Sequence, residues 1–274
     1  MNKAKACVVG SSVRNSLSPT IFNYWFSKHK ISGEYGFVEL KEKKFKYAIK
    51  KILKEKKYCG FNVTIPYKEK IITHLTTVDK HSKKIKAVNC VTIKKNQIAG
   101  KNTDWTGFAN IIKKIKVNKK KIKKQKIIVI GYGGAGKAIV YSLEQMNFKQ
   151  IKVFNRTYKK IKNIESKKTQ PLSFKSLHNH VFDAEIIINT TPNQNILKNF
   201  LKQRLNSFGI DINYKYKKKI KKNFLDNFSP NKRVYGIDML IAQAAPCFKL
   251  WFGIVPKTND NKLRKKLFYM VNKK

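Results

Sequence analysis

The sequence predicts an α/β fold in two domains, the second built on a doubly wound parallel sheet. Strand and helix signals alternate along nearly the whole chain of 274 residues, as expected of successive βα units. The apolar run at residues 126–130 (KIIVI) is typical of a strand buried on both faces. A glycine-rich turn and helical periodicity follow it at residues 131–146. Right-handed crossovers between such units produce a parallel sheet.

In the first half, residues 5–10 predict a strand that ends at a glycine. Ser18 is expected to cap a helix that has Pro19 at its first position and continues to about His29. Residues 35–40 and 59–64 read as strands, and residues 88–93 and 97–99 as a hairpin or as a strand with a bent end. Residues 43–57 predict a helix, with its apolar side chains on one face at Phe45, Ile49, Ile52 and Leu53.

In the second half, further buried strands are predicted at residues 151–154, 185–189 and 208–212. Helices are predicted at residues 137–146, 157–165, 238–252 and 263–271. This order continues the βα succession and places the last two helices after the final strand.

The charge of the chain is strongly basic, with 61 Lys+Arg against 15 Asp+Glu and a formal net charge of +46. Only five of these cations are arginines, although the guanidinium fork is the group best suited to reading bases and phosphates. The lysines are also scattered over the whole sequence. We therefore interpret the charge as lysine enrichment on solvated faces and expect no specific nucleic-acid partner.

Other classes of protein are disfavoured by what the sequence lacks. It contains no uncharged apolar stretch of membrane-spanning length, and its N-terminus has no signal-peptide pattern, so we expect a cytoplasmic protein without a membrane partner. The four cysteines are far apart and form no C-x-x-C pair. His178 and His180 have no cysteine or acidic partner at ligand spacing, and we expect no metal site.

The glycines at positions 131, 133 and 136 fit the pattern G-x-G-x-x-G between a strand and a helix. Such a turn lets the backbone approach a diphosphate at the helix N-terminus. An NAD site usually has an acidic residue after the next strand, to bind the ribose 2′-hydroxyl. This chain has Asn155-Arg156-Thr157 there, with Lys160 nearby, which favours NADP over NAD. The alternative is that Arg156 is an ordinary surface residue.

Polar clusters in the first half follow predicted strands, where open α/β sheets bind ligands. Ser16 and Ser18 lie at a helix start, where hydroxyls and free backbone N–H groups suit a carboxylate. Lys68 follows a strand and a proline turn, while Asn89 and Asp104 add an amide and a carboxylate. Taken singly, each could be a turn or solvated residue.

Nine motifs, in order along nearly the whole chain, resemble those of the shikimate dehydrogenase family. They are NSLSP (15–19), FNVTIPYKE (61–69), AVNCV (87–91), NTDWTG (102–107), GYGGAGKA (131–138), NRT (155–157), INTTP (188–192), DINY (211–214) and GIDMLIAQAA (236–245). The resemblance implies NADPH-dependent reduction of 3-dehydroshikimate to shikimate in chorismate and aromatic amino-acid biosynthesis. It implies a substrate domain from residues 1–104 and 237–274, and a Rossmann-like NADP domain from residues 105–236. The assembly is expected to be a monomer or a homodimer.

The family's functional residues carry over onto matching positions. Lys68 and Asp104 match its catalytic pair. Matches to its substrate contacts are Ser16, Ser18 and Tyr214 for the carboxylate, and Thr64, Asn89, Asp104 and Gln243 for the ring hydroxyls. Matches to its cofactor contacts are Gly131, Tyr132, Gly133, Gly134 and Ala135 for the diphosphate, Asn155, Arg156, Thr157 and Lys160 for the adenosine phosphate, and Ile212 and Gly236 for the nicotinamide side.

Two alternatives remain open from the sequence. One is a related dehydrogenase that also uses quinate as substrate or NAD as cofactor. The residues at 155–157 argue against NAD but leave the use of quinate open. The other is a non-enzymatic polyanion-binding protein on a degenerate dehydrogenase fold. The intact Lys68, Asp104 and glycine turn argue against this second alternative.

Overall fold

The computed structural model describes residues 4–55, 57–95, 97–115, 124–164, 166–197, 204–214 and 223–272. The chain forms two compact units, the first from Met1–Gly107 and Ile241–Leu267, the second from Phe108–Leu240 and Phe268–Lys274. The functional assignment of the predicted domains, which divides the chain near residues 104 and 236, stays a prediction. Most of the lysine-rich run before residue 126 lies outside the described residues.

The first unit contains a six-stranded mixed sheet in the order β2-β1-β3-β5-β6-β4. Its strands are β1 (Ala4–Gly10), β2 (Gly33–Glu39), β3 (Gly60–Val63), β4 (Thr77–Val78), β5 (Cys90–Lys94) and β6 (Gln97–Lys101). Strand β1 pairs in parallel with β2 and β3, whereas β5 is antiparallel to both β3 and β6. The predicted hairpin is therefore confirmed.

The helices in this part of the chain are α1 (Ser18–Lys28), α2 (Phe45–Lys54), α3 (Lys80–Ile85) and α4 (Asp104–Lys114). The predicted apolar face of α2 is confirmed, because Phe45, Ile49 and Ile52 are buried in the sheet's hydrophobic core and Leu53 packs against it. Helix α2 begins at Phe45, after a 3₁₀ turn at Glu42–Lys44, and ends three residues before the predicted boundary.

The second unit contains a sheet in the order β12-β11-β10-β7-β8-β9, in which all neighbouring strands are parallel. Its strands are β7 (Lys126–Ile130), β8 (Gln150–Asn155), β9 (Thr169–Ser173), β10 (Ile186–Asn189), β11 (Phe208–Asp211) and β12 (Arg233–Val234). The later helices of the chain are α5 (Gly134–Gln145), α6 (Gly236–Phe252) and α7 (Asn261–Asn272). The predicted parallel sheet is confirmed.

The strand order reverses between β7 and β10, since the chain builds outward from β7 through β8 and β9 and then returns to its other side. In open α/β sheets, ligands bind beyond the carboxyl ends of the strands at such a switch point. The glycine turn after β7 and the Asn189-Thr190-Thr191 segment after β10 meet there.

Some local predictions were wrong. Ser18 is the first residue of α1 rather than its cap; Leu17 occupies the cap position, and no side chain caps the helix. The predicted helix at 157–165 is only a 3₁₀ turn at Tyr158–Lys160, and Glu165 lies outside the described residues. Strand β9 was not predicted, because Pro171 removes a ladder donor; the sheet tolerates it since β9 is an edge strand.

None of the helices in the described part of the chain combines the length and the apolar character that crossing a bilayer requires.

Candidate active site

Lys68 and Asp104 form a close ion pair in the first unit. The distance from Lys68 Nζ to Asp104 Oδ2 is 2.7 Å, and the side chains are only 13% and 5% exposed. The backbone of Lys68 is fixed as well, since its carbonyl accepts from Val88 N–H at 2.8 Å. Asp104 begins α4, where a carboxylate is favoured by the helix dipole. The structure thus joins the two residues that the sequence predicts as the catalytic pair.

Asn89 connects this pair to the rest of the predicted cluster. Its Nδ2 donates to Asp104 Oδ1 at 2.8 Å and to Gln243 Oε1 at 3.1 Å. Its Oδ1 accepts from Thr103 N–H at 2.7 Å. Both oxygens of Asp104 are therefore engaged, one by the Lys68 ammonium and one by an amide, so the carboxylate has a fixed orientation. Four predicted residues, Lys68, Asn89, Asp104 and Gln243, belong to one hydrogen-bonded network.

A second layer of polar residues orients this network, and the site predicted from the sequence did not include it. Asn102 Oδ1 accepts from Asp104 N–H at 3.0 Å, while its Nδ2 donates to the Ala87 carbonyl at 2.9 Å. Thr103 Oγ1 lies 3.0 Å from Asn89 Nδ2. The signal was present in the sequence, because an Asn two residues before a helix start commonly bonds the backbone in this way.

The predicted substrate hydroxyls of the first unit lie in two neighbouring segments. Ser16 Oγ accepts from Ser18 N–H at 3.2 Å, and Ser18 itself is 5% exposed. Glu39 Oε2 accepts from Val13 N–H at 2.9 Å and so holds the turn that leads to Ser16. Thr64 is half-buried beyond β3, with its N–H bonded to the Val9 carbonyl at 2.9 Å. Tyr214 belongs to the second unit and is half-buried.

The glycine turn of the second unit has the geometry of an anion cradle. Gly131 has φ +97°, and an added Cβ would lie 2.5 Å from Thr190 Oγ1. A Cβ on Gly136 would lie 2.5 Å from the Gly131 carbonyl oxygen. Gly133, the N-cap of α5, has nothing within 4 Å of its Cβ position, and the first turn of α5 contains no acid. The space above the helix N-terminus and its free N–H groups fit a diphosphate.

The other predicted diphosphate residues complete this turn. Gly134 and Ala135 are the first two residues of α5, and Tyr132 lies between Gly131 and Gly133. Burial raises the pKa of the Tyr132 phenol, so this side chain stays neutral at physiological pH.

The end of β8 has the composition that a ribose 2′-phosphate requires. Asn155 Nδ2 donates to the Thr157 carbonyl at 3.0 Å and shapes the turn. Arg156, Thr157 and Lys160 are exposed at this end of the strand. No acidic residue occurs between Asn155 and Lys160, and an acid there would repel a phosphate. The residues present therefore fit NADP.

The two residues predicted on the nicotinamide side lie against each other. A Cβ on Gly236 would lie 2.5 Å from the Ile212 carbonyl oxygen and 2.4 Å from that of Asn213. Ile212 N–H donates to the Asn189 carbonyl at 3.1 Å, which ties the ends of β10 and β11 together. Met239 is buried one turn into α6.

Asp211, the last residue of β11, is a buried acid that was not among the predicted site residues. Its side chain is fully buried, and burial raises its pKa to about 6. An acid that ends an apolar run, as in FGID, was the available signal. Within the described residues, no group of three or more His, Cys, Asp or Glu side chains is arranged to hold a metal ion.

Comparisons with known proteins identify the family that the sequence resembles. A family model described as the shikimate dehydrogenase substrate binding domain matches residues 8–91, and one described as shikimate / quinate 5-dehydrogenase matches residues 112–212. The NADP(+) shikimate dehydrogenase of Staphylococcus epidermidis is 34% identical over 263 residues, which cover 93% of this chain and 94% of that protein. The corresponding enzyme of Caldicellulosiruptor saccharolyticus is 32% identical over 266 residues, covering 92% and 93%.

Solved structures of shikimate dehydrogenases have the same fold as this chain. The crystal structure of shikimate dehydrogenase from Aquifex aeolicus superimposes with a TM-score of 0.82 at 28% identity, covering 97% of this chain and 98% of that one. The predicted family and the predicted fold class are both confirmed. On the sequence identity, the coverage and the matching models, the chain belongs to the shikimate dehydrogenase family.

Proposed function

We propose that this protein catalyses the reversible NADPH-dependent reduction of 3-dehydroshikimate to shikimate, a step of chorismate and aromatic amino-acid biosynthesis. The observation that carries the proposal is the 2.7 Å contact between Lys68 Nζ and Asp104 Oδ2 inside a network of buried amides. This contact supports the proposal because the reaction needs a proton donor, Lys68, held in place by an acid, Asp104.

The bound cofactor supplies the hydride, and the chain supplies the proton and the positions of the groups. Reduction of the ketone adds hydride to carbon and leaves negative charge on oxygen. The Lys68 ammonium polarises that oxygen and donates the proton that turns it into a hydroxyl. Asp104 holds the ammonium in place, and Asn89 holds Asp104 through its second oxygen. In the reverse direction, neutral Lys68 accepts the proton as hydride leaves the substrate.

Most of the substrate contacts are assigned to the unit that contains the pair. The hydroxyls of Ser16 and Ser18, together with Tyr214, bind the carboxylate. The ring hydroxyls are bound by Thr64, Asn89, Asp104 and Gln243. Two of these, Asn89 and Gln243, already share a hydrogen bond with each other. The proposed substrate domain comprises residues 1–104 and 237–274.

Cofactor binding is assigned to residues 105–236. The turn at Gly131, Tyr132, Gly133, Gly134 and Ala135 binds the diphosphate, supported by the open space at Gly133. Asn155, Arg156, Thr157 and Lys160 bind the 2′-phosphate, and Ile212 and Gly236 contact the nicotinamide side. A cytoplasmic location and a monomeric or homodimeric assembly remain part of this proposal.

Turnover assays with purified protein test the function. We expect shikimate to be oxidised with NADP⁺, followed by the absorbance of the NADPH formed, and NAD⁺ to be used far less efficiently. Quinate oxidation at comparable kcat/KM would instead assign the broader quinate/shikimate activity. A folded protein that turns over neither substrate with either cofactor would contradict the enzymatic proposal.

A further inference from the structure

The Asp211 carboxyl group is held on one side only. Its Oδ1 accepts from Asn213 N–H at 3.1 Å, from Asn213 Nδ2 at 2.8 Å and from Asn189 Nδ2 at 3.3 Å. Its Oδ2 is buried and has no hydrogen-bond partner among the described residues. The side-chain amide of Gln194 lies close enough to lower the pKa of this carboxyl, but it makes no hydrogen bond to Oδ2.

Within the part of the chain that the structure describes, this carboxyl has no counter-ion among its hydrogen-bond partners, all of which are amides. The contrast with the whole chain is large, because 61 of its residues are Lys or Arg. A buried charge without a cationic partner destabilises a fold. Burial is the main reason that the pKa of this group is raised to about 6, so the group is ionised at pH 8 at the expense of stability. Its placement is therefore better explained by a ligand than by folding.

The position of Asp211 identifies which ligand group would lie near it. It ends β11, next to the switch point of the sheet, and the following residue is Ile212, against which Gly236 packs. Asn213 Nδ2 also donates to the Thr191 carbonyl at 2.5 Å, so the network of Asp211 joins the segments after β10 and β11. Of the cofactor's groups, only the nicotinamide ring changes charge during the reaction, and it is positive when oxidised.

We propose that the buried carboxylate of Asp211 makes this protein bind oxidised cofactor more tightly, relative to reduced cofactor, than its fold otherwise would. The inference rests on the proposed function, in which Ile212 lies on the nicotinamide side. A fixed negative charge in a low-dielectric region attracts the nicotinamide cation and leaves the neutral dihydronicotinamide unaffected. Asp211 thereby shifts the equilibrium on the enzyme towards NADP⁺, the product of ketone reduction. It is an electrostatic and positioning residue that neither donates nor accepts the transferred hydride or proton.

The substitution Asp211→Asn tests the proposal with little change in shape. The amide keeps an oxygen where Oδ1 accepts its three hydrogen bonds, and it places its nitrogen at the unpartnered side. We expect the dissociation constant of NADP⁺ to rise by about tenfold at pH 8 and that of NADPH to change by less than about twofold. Titration calorimetry for NADP⁺ and fluorescence titration for NADPH give the two constants without turnover.

Glu144→Gln is the matched control, because it also removes one carboxylate from the second unit. Glu144 lies near the end of α5 and bonds Ser166 and Thr169, at the amino end of β9. The ratio of the two dissociation constants should be unchanged in this variant. A ratio that shifts equally in both variants would overturn the proposal, as would equal losses of both cofactors in Asp211→Asn.

The wild-type protein offers a second measurement that needs no variant. The affinity ratio of NADP⁺ to NADPH should fall when the pH is lowered from 8 to 5, since Asp211 then becomes neutral. Ionisation of the 2′-phosphate is common to both cofactors and cancels in the ratio, and the side chains nearest to the carboxyl, Asn189, Gln194 and Asn213, do not titrate. A constant ratio contradicts the inference alone. Wild-type protein that binds neither cofactor contradicts the proposed function as well.

Discussion

The two units each bury an aspartate at the end of a secondary-structure element, and the two acids have opposite surroundings. Asp104 in the first unit has the Lys68 ammonium at 2.7 Å and an amide on its other oxygen. Asp211 in the second unit accepts three hydrogen bonds from amides on Oδ1, and its Oδ2 has no hydrogen-bond partner among the described residues. The first acid is paired with a cation, whereas burial raises the pKa of the second, which has no cationic hydrogen-bond partner among the described residues. In our proposals, the first acid belongs to a charge pair that serves proton transfer, and the second is a charge placed for a ligand.

The cations at the end of β8 contrast with Asp211, because they are exposed and can bind an anion. Arg156 and Lys160 are exposed at the end of β8, so their solvation is retained while no phosphate is bound. An exposed charge contributes little to folding, and its value lies in the affinity that it adds for an anion. The following predictions test this contrast.

The largest effect is expected from Lys68→Met, which removes the ammonium but keeps an unbranched side chain. We expect kcat to fall by roughly 10²–10⁴, the range for the loss of a general acid, with a much smaller change in the KM of shikimate. Steady-state kinetics give both values. Lys70→Met, two residues away at an exposed ion pair with Glu42, is the control and should retain normal kcat.

The stability of the Lys68→Met protein must be measured alongside its activity. Removal of one partner of a buried ion pair typically lowers the free energy of unfolding by about 3–5 kcal/mol, because the other charge is left uncompensated. Circular dichroism and denaturant unfolding show whether the variant is folded at the assay temperature. Folded Lys68→Met protein with normal kcat would show that Lys68 does not deliver the proton.

The next largest effect concerns stability, in the variant Asp211→Asn. The folded-state pKa of Asp211 is raised to about 6 from 3.8, so the folded protein binds a proton more tightly than the unfolded chain. The resulting penalty is absent below the unfolded pKa, grows as the pH rises from 3.8 to about 6 and levels off at roughly 3 kcal/mol above the folded pKa, as at pH 8. The variant should therefore be more stable than wild type at pH 8, and this advantage should vanish near pH 4.

Urea unfolding of both proteins at the two pH values measures this difference. A variant that is less stable than wild type at pH 8 would mean that the Asp211 carboxylate supports the fold. Its burial would then need no explanation from a ligand.

A smaller effect is expected for cofactor choice. Arg156→Asp should weaken NADP⁺ binding by about 1.5–3 kcal/mol, the scale of a charge-assisted hydrogen bond, while NAD⁺ binding changes little because it has no 2′-phosphate. Calorimetric titration of both cofactors measures the two changes. Arg204→Asp changes another exposed arginine of the second unit and serves as the control. Equal losses for both cofactors in Arg156→Asp would make Arg156 a structural residue.

The smallest effect is expected from Ser18→Ala. Loss of one hydroxyl from the proposed carboxylate site should raise the KM of shikimate by about tenfold, with a smaller change in kcat. Because the hydroxyl of Ser18 does not cap α1, the free energy of unfolding should change by less than about 1 kcal/mol. Ser27→Ala, at an exposed position of the same helix, is the control. An unchanged KM would remove Ser18 from the substrate site.

Sequence patterns predicted the parts of the fold in which local and long-range preferences agree. The apolar run at 126–130 and the glycines that follow specify a buried strand and a tight turn, and both occur. The predicted cap of α1 was wrong because Ser16 Oγ, one position before the actual cap at Leu17, already accepts the Ser18 N–H, so the helix starts one residue earlier than the sequence predicted. Strand β9 was missed because a proline is acceptable only at a sheet edge, and sequence alone does not identify edges.

The residues of the candidate sites also differ in whether the sequence could predict them. Lys68, Asn89 and Asp104 were predicted through motifs, and their hydrogen-bonded arrangement follows. Asp211 was missed because its significance lies in what surrounds it, a set of amides without a cation, and this depends on how β10 and β11 pair. Burial and partner identity are three-dimensional quantities that a local pattern does not contain.

The single-turnover rate of hydride transfer tests the central claim most directly, since steady-state kcat can be limited by product release. Enzyme saturated with NADPH is mixed with 3-dehydroshikimate, and the loss of NADPH absorbance is followed in a stopped-flow instrument. We predict that Lys68→Met is slower than wild type by roughly 10²–10⁴, with Lys70→Met within about twofold of wild type. A folded Lys68→Met protein that transfers hydride at the wild-type rate would contradict the assignment of the Lys68–Asp104 pair.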